Sequence, residues 1–240
     1  MAASPLVTVS PSSTVSPSST VTAEALSTTP QPTGTVTATV VETILATTPD
    51  VEAIAVLATI TVEREHRGGY NRDLFAVWSD LDGNGCDTRE DVLSAEEIGA
   101  QQAEQVGCEL PAGTWYSVYD ATTTASPSTF DIDHLVPLKE AWDSGAWDWS
   151  PERRIAFAND MTDQRTLLAV SAESNRSKGD KDPSNWLPEP GHVRQYLSDW
   201  VAIKARWSLS MDESEYGRIR NLLRRECRGT VVAPWPAPVG

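Results

Sequence analysis

The sequence predicts an α+β domain behind a long disordered lead, and three observations carry that prediction. Residues 1–50 hold no aromatic residue, no Lys and no Arg, and are dominated by Ser, Thr and Pro. All nine tryptophans lie from Trp78 onward. Beyond it, short stretches rich in β-branched and aromatic residues alternate with stretches whose apolar residues recur at helical spacing. A segment such as 1–51 cannot bury enough apolar surface to offset the entropy of ordering it, so it reads as a Ser/Thr/Pro-rich linker or stalk. The folded part is assigned to residues 52–230, followed by a short Pro-rich tail at 231–240.

The elements follow in order. "YNRDLFAVWSD" places Leu74, Phe75 and Trp78 at helical intervals and predicts a helix. "DVLSAEEIGAQQAEQV", residues 91–106, predicts a second by composition, so the acidic loop before it is flanked by helices. After a turn at 111–113, "TWYSVYDATTTASPSTFDIDHLVPL" predicts two strands joined by a loop at 126–128. Ser150 as N-cap and Pro151 in the first position start a helix. "TLLAVS", Thr166 to Ser171, is a short apolar strand, and "AESNRSKGD" gives one or two helical turns stopped by Gly179 and Pro183. Two amphipathic helices close the chain, with stripes at Tyr196, Trp200, Ile203, Trp207 and at Tyr216, Ile219, Leu222, Leu223 that read as core-packing faces. The second opens on the capping-box pattern Ser210 to Glu213.

Charge is distributed unevenly along the chain. Residues 1–150 carry 22 Asp and Glu against 5 Lys and Arg, whereas residues 151–240 carry 12 against 14, within a net charge of -15. So acidic a protein is a poor tight binder of nucleic acid, and any phosphate contact should come from the later, locally basic half. Cys86, Cys108 and Cys227 are too far apart for a CxxC metal or redox site; in an oxidising compartment one disulfide forms, and Cys86 with Cys108 is the nearer pair. No apolar run approaches the roughly 18 residues of a membrane span, and no basic start with an apolar stretch marks a signal peptide. Export is inferred from the stalk alone.

Two motifs carry chemistry. In "DLDGNGCDTRED", Asp80, Asp82 and Asn84 fall at positions 1, 3 and 5 of a calcium loop and Gly85 at the turn position, with Asp91 at position 12 where a longer Glu is usual. One reading puts Ca²⁺ on Asp80, Asp82, Asn84 and Asp91; the plainer one is a turn in which these residues serve backbone geometry. The second motif is "DIDHLVPLKEAW". Adjacent strand residues face opposite ways, so Asp133 and His134 need a bend at the strand end to converge on one substrate, the carboxylate holding a cation and the imidazole taking a proton. About thirty residues on, a short helix offers Asn175 as an oxygen ligand and Arg176, Lys178 and Lys181 as phosphate partners.

"DIDHLVPLKEAWDSGAW" followed by "RRIAFANDMTDQRTLLAVSAESNRSKGDKDPSNWLP" resembles the small secreted bacterial HNH endonucleases, whose chemistry sits in a ββα-metal finger. The similarity runs from about Ala53 to Cys227. It implies that Asp133 is a metal ligand and His134 the general base, with Asn175 completing the ligation of a divalent ion, Mg²⁺ or a similar hard cation. The middle Asn of the signature aligns near Thr166, which leaves Asn159 to orient His134. Lys178, one turn beyond Asn175, and Arg176 are expected on phosphate, and Arg72 and Arg89 on the substrate backbone. Glu140 stands either behind the site or on an exposed helix face. The resemblance places the acidic-loop cysteine in a disulfide, making that loop scaffolding, and puts Gln195 where the family often has a fourth cysteine, leaving Cys227 unpaired. The expected whole is a ββα-metal (HNH) finger wrapped by helices, acting outside the cell as a metal-dependent, sequence-nonspecific endonuclease on DNA or RNA, without a stable protein partner. The alternative is a calcium-stapled extracellular binding or structural module whose nuclease site has decayed.

Overall fold

The computed structural model describes residues 50–99, 107–110 and 112–238. Residues 1–49 of the stalk expected over 1–51, residues 100–106 of the second expected helix, Pro111 of the expected turn and the last two residues of the tail lie outside the described residues. In chain order the elements are β1 (Val51–Glu52), α1 (Ala53–Leu57), a 3-10 turn at Arg72–Phe75, α2 (Thr88–Ala95), β2 (Trp115–Ser117) and β3 (Thr122–Thr124). Then come β4 (Phe130–His134), α3 (Leu138–Asp143), α4 (Pro151–Ala158), β5 (Leu167–Ser171), α5 (Ala172–Lys178), α6 (Val193–Arg206), α7 (Glu213–Arg225) and β6 (Val231–Val232). Among the described residues helices dominate and the strands form three separate antiparallel ribbons, an α+β arrangement.

Local chemistry accounts for the boundaries. Asp87 caps α2 through a full capping box, accepting from the Glu90 amide while the Glu90 carboxylate accepts from its own. Ser150 accepts from the Arg153 amide with Pro151 in the first turn. For α7 the cap is Asp212, accepting from the Glu215 amide at 2.7 Å, rather than the expected Ser210. Gly179, at φ 52, ends α5 in a backbone conformation that favours glycine.

Two expectations are corrected. The helix expected around Leu74 to Trp78 is one 3-10 turn, because Ala76 (φ 41) and Trp78 (φ 63) turn left-handed and leave Leu74 exposed. The two strands expected from 114 to 138 are three: the chain reverses at Ala121 (φ 56), so Trp115–Ser117 pairs with Thr122–Thr124 before β4 begins.

Two apolar clusters hold the body together. The larger gathers the Tyr196, Trp200, Ile203, Trp207 stripe of α6 with Ile219, Leu222 and Leu223 of α7, Phe157 of α4, Trp142 of α3 and Ala53, Val56, Leu57 of α1. The smaller packs Val92 and Leu93 of α2 and Trp115 of β2 against Phe130, Ile132, Leu167 and Ala169. β1 pairs with β6, Val51 opposite Val232, so the body closes on itself where its first and last strands meet. Cys86 and Cys108 form a disulfide that fastens the acidic loop, and Cys227 is a free, buried thiol. Among the described residues no helix is long and apolar enough to cross a membrane.

Candidate active site

The candidate site lies on the hairpin β4–β5 and the helix that follows it. Pairing runs from Phe130 opposite Ser171 to His134 opposite Leu167, and continues as the Leu135 amide donates to the Thr166 carbonyl. Strand alternation then sorts the side chains. Phe130 and Ile132 enter the smaller core, while Asp131 and Asp133 face α5. There the Asn175 Nδ2 donates to Asp131 Oδ2 at 3.1 Å. One turn on, the Lys178 ammonium donates to Asp133 Oδ1 at 3.0 Å, lies 2.7 Å from Oδ2, and donates to the His134 carbonyl at 2.9 Å. The Tyr119 hydroxyl donates to Asp133 Oδ2 at 2.7 Å.

This group is dry. Lys178 has no exposed surface. Burial raises the Asp133 carboxyl despite Lys178 and Tyr119, and lowers the Lys178 ammonium despite Asp133. In both partners desolvation outweighs their mutual attraction.

His134 faces a different set of neighbours. Its Nε2 lies 2.8 Å from the Ala158 carbonyl at the end of α4. A carbonyl oxygen only accepts, so Nε2 carries the proton and Nδ1 holds the free lone pair. Nδ1 has no partner among the described residues. The ring sits between Trp78 (centroids 5.7 Å apart) and Phe157 (6.4 Å). Burial drives its pKa down to about 3, helped by the charges of Arg72 and Lys178. The imidazole is therefore unprotonated at physiological pH, and the same burial weakens it as a base.

Set against the sequence expectations, the placements divide. Asp133, His134, Asn175 and Lys178 are brought together, yet Asp133 and His134 share no common ligand: β4 stays regular to its end, and Lys178 is what spans them. Lys178 is corrected from a phosphate contact to a buried partner of Asp133. Asn159 is corrected too. Its Oδ1 accepts from the Ser79 amide and the Thr88 hydroxyl and its Nδ2 donates to the Ala76 and Ile155 carbonyls, so it ties α2 and the 3-10 segment to α4 and does not touch the imidazole. Arg72 stands near enough for its charge to be felt at His134, and Arg176 is exposed on α5. Arg89 is spent on the Phe130 carbonyl at 3.0 Å, at the opposite end of β4 from His134. Glu140 is on neither an exposed face nor the hairpin: it is buried against Lys204 at 2.5 Å.

In the acidic loop, Asp80 accepts from the Gly83 and Gly85 amides, Asp82 from the Asn84 amide, and Asn84 donates to both Asp82 and Asp91. These oxygens serve the backbone turn and its attachment to α2. Near the hairpin, the Oδ1 atoms of Asn175 and Asp131 have no partner among the described residues. These are oxygen donors of the kind a hard cation takes, whereas both Asp133 oxygens are engaged by Lys178 and Tyr119.

Four participants were missed by sequence reasoning. Asp131 stood at i−2 from Asp133, a legible strand-face signal. Tyr119, Trp78 and the Ala158 carbonyl carry no local signal, since their places depend on chain segments folded far from the motif.

A family model described as "GmrSD restriction endonucleases, C-terminal domain" matches residues 89–221. A protein described as an "Uncharacterized secreted protein" from Arthroderma benhamiae is 35% identical over 173 residues, covering 71% of this chain and 83% of the relative. That relative is fungal, so the bacterial origin attached to the resemblance is not supported. No solved structure matches the chain.

Proposed function

We propose that this chain, which belongs to the family of the C-terminal domain of GmrSD restriction endonucleases, hydrolyses phosphodiester bonds of nucleic acid outside the cell. The observation that carries the reading is the imidazole of His134: neutral, tautomerically fixed by the Ala158 carbonyl, with Nδ1 left without a partner among the described residues. A water held at Nδ1 would lose its proton to it as the oxygen attacks phosphorus. The paired strands β4 and β5, separated in sequence by α3 and α4, with α5 directly after β5, support reading the site as a ββα-metal finger. The secreted relative and the Cys86–Cys108 disulfide both favour an oxidising, extracellular setting.

Asp133 and Asn175, with Asp131 beside them, fit a hard divalent cation of the Mg²⁺ kind by donor chemistry, and Asp133 would share its charge with Lys178. Such an ion supplies stabilisation of the charge that develops on phosphate and leaving oxygen. The protein's own contribution is positional. Lys178 and Tyr119 hold Asp133 still, Trp78 and Phe157 flank the base, and Arg72 and Arg176 present positive charge to the substrate backbone. With no dedicated groove-reading element among the described residues, cleavage should be largely sequence-nonspecific on DNA or RNA, and binding weak and salt-sensitive given the net charge of -15.

The test is cleavage of supercoiled plasmid and of RNA by the purified chain with Mg²⁺, with EDTA, and with His134→Ala. Loss with EDTA and a fall of about 10²–10⁴ in rate for the variant support the reading. Intact substrate across Mg²⁺, Mn²⁺, Ca²⁺ and Zn²⁺ would sink it.

A further inference from the structure

Two rings stand stacked on the surface beside α3. Those of His66 and Trp147 lie with centroids 4.5 Å apart and planes 15° from parallel, and both residues are exposed, Trp147 to 45%. Trp147 sits in a 3-10 turn, Ala146–Asp148, just after α3, and His66 in the stretch between α1 and the turn at Arg72–Phe75. Neither belongs to either apolar cluster. A lone exposed indole calls for no explanation, but two rings held nearly parallel at the surface make a preformed aromatic platform.

One continuous segment joins this platform to the hairpin. Residues 66–72 run alongside α3 in the opposite sense. The His66 amide donates to the carbonyl of Asp143, the last residue of α3, at 2.8 Å; the Trp142 indole donates to the Gly68 carbonyl at 2.9 Å; and the Tyr70 ring lies 6.0 Å from the Lys139 ammonium near the start of the helix. Gly68 and Gly69, at φ 107 and 72, supply a backbone course that other residues resist. Beyond Tyr70 stands Arg72, whose charge reaches His134 at the end of β4, shortly before α3 begins. At 1.5 Å per residue α3 spans about 9 Å, so the platform stands on the order of three nucleotides from the end of the hairpin. Charge along this track is mixed. Arg64 and Arg67 flank His66 in sequence and are exposed, as is Arg72. Glu65 is half-buried and 3.8 Å from Arg67, Asp143 is buried and paired with Lys139, and Glu63, Asp73 and Asp148 are exposed. The arginines can therefore meet phosphate without dominating the binding, and the rings carry the larger share.

We propose that the His66–Trp147 platform, with Arg64 and Arg67, holds unstacked bases of single-stranded nucleic acid and leads the strand past Tyr70 and Arg72 to His134. A base inside a duplex has both faces covered by its neighbours, so only an unpaired strand offers a face to an aromatic ring. Every base has such a face, which keeps the surface indifferent to sequence. The destination of the strand rests on the hydrolytic reading, whereas its capture at the rings does not.

The probe is a fluorescein-labelled oligothymidylate about 12 nucleotides long, followed by anisotropy on the full chain in EDTA so that nothing is cut, beside a blunt duplex of equal length. Wild type should bind the single strand more tightly than the duplex. Trp147→Ala should weaken single-strand binding about 5- to 150-fold, the worth of one base–aromatic stack, and leave duplex binding unchanged. Trp147→Tyr, which keeps a ring, should recover most of that loss. Arg64→Gln/Arg67→Gln should lower the slope of log affinity against log salt by about 0.7 per arginine. His66→Ala gives an independent check on the platform, and because all four residues are exposed, every variant should keep the wild-type circular dichroism spectrum. The proposal is overturned if wild type fails to bind the single strand or prefers the duplex, or if Trp147→Ala and His66→Ala both keep wild-type affinity. Cleavage of plasmid and RNA in Mg²⁺, run in parallel, separates the two readings. Ring-dependent binding without cleavage refutes hydrolysis and leaves the platform standing; cleavage with ring-independent binding refutes the platform alone.

Discussion

Replacing Lys178 with Met keeps the reach of the side chain and removes its charge. In the structure this strips the Asp133 carboxylate of two close contacts with the ammonium, at 3.0 and 2.7 Å, and leaves it with Tyr119 alone in a site closed to water. The His134 carbonyl loses a donor as well. Removing one partner of a buried ion pair costs about 3–5 kcal/mol, because the survivor remains charged and dry. Against a typical total of about 5–15 kcal/mol, that is a large share of the stability. Since burial already outweighs attraction in both partners, removing both charges should cost far less: Asp133→Asn/Lys178→Met is expected to recover about 2 kcal/mol or more relative to the single variant. Urea unfolding followed by tryptophan fluorescence, run as a double-mutant cycle, measures both quantities. A Lys178→Met protein within about 0.5 kcal/mol of wild type but with a raised KM for nucleic acid would refute the reasoning, and would place the ammonium on substrate instead.

Three further outcomes are expected. Burial pushes the Glu96 carboxyl up to about 7, so the folded state keeps a proton there that the unfolded chain releases; this contribution is complete below the ordinary carboxylate range and is lost as pH rises through about 7. In urea titrations from pH 5 to 8, Glu96→Gln should therefore gain on wild type as pH rises, and a gap that stays constant or shrinks would contradict the shift. Opening the Cys86–Cys108 disulfide, with 22 residues of separation, should lower the unfolding free energy by about 3 kcal/mol; a change below about 1 kcal/mol on replacing both by Ser would show that the loop is held by other contacts. Asn159→Ala removes four hydrogen bonds and leaves buried groups unpaired, so it should destabilise by about 2–4 kcal/mol while the His134 ring resonances in NMR stay where they are. A large shift of those resonances would return Asn159 to the orienting role.

Much of the frame was legible in the sequence because it is written in local chemistry. The cap at Ser150, the stop at Gly179 and the stripe at Tyr196, Trp200, Ile203 and Trp207 each act within a few residues. Lys178 was misread because a lysine in the last turn of a short helix ordinarily projects into water, and nothing nearby reveals a carboxylate 45 positions earlier. The same holds for Glu140, whose burial depends on Lys204 from another helix. Ala121 and Ala76 were invisible for a different reason: each adopts a left-handed backbone that alanine does not advertise, so one hairpin was missed and one helix was overcalled. Asn159 drew attention as an amide in the right region, yet it is the peptide just before it that meets the imidazole.

That peptide has a consequence for how the site tolerates change. The Ala158 oxygen belongs to the main chain, so no replacement of a side chain deletes it; only a displacement of the end of α4 withdraws it. Mutational scans report on side chains and would pass over position 158 as a small buried residue. A backbone ester between residues 158 and 159 weakens the carbonyl as an acceptor and also removes the Asn159 amide that donates to the Ile155 carbonyl, while leaving every side chain in place; set beside an ester that removes a different last-turn amide of α4, it would make this hidden partner visible. It also means that an ancestral chain could rewrite most of α4 and still keep its imidazole aligned, provided the helix ended at the same peptide.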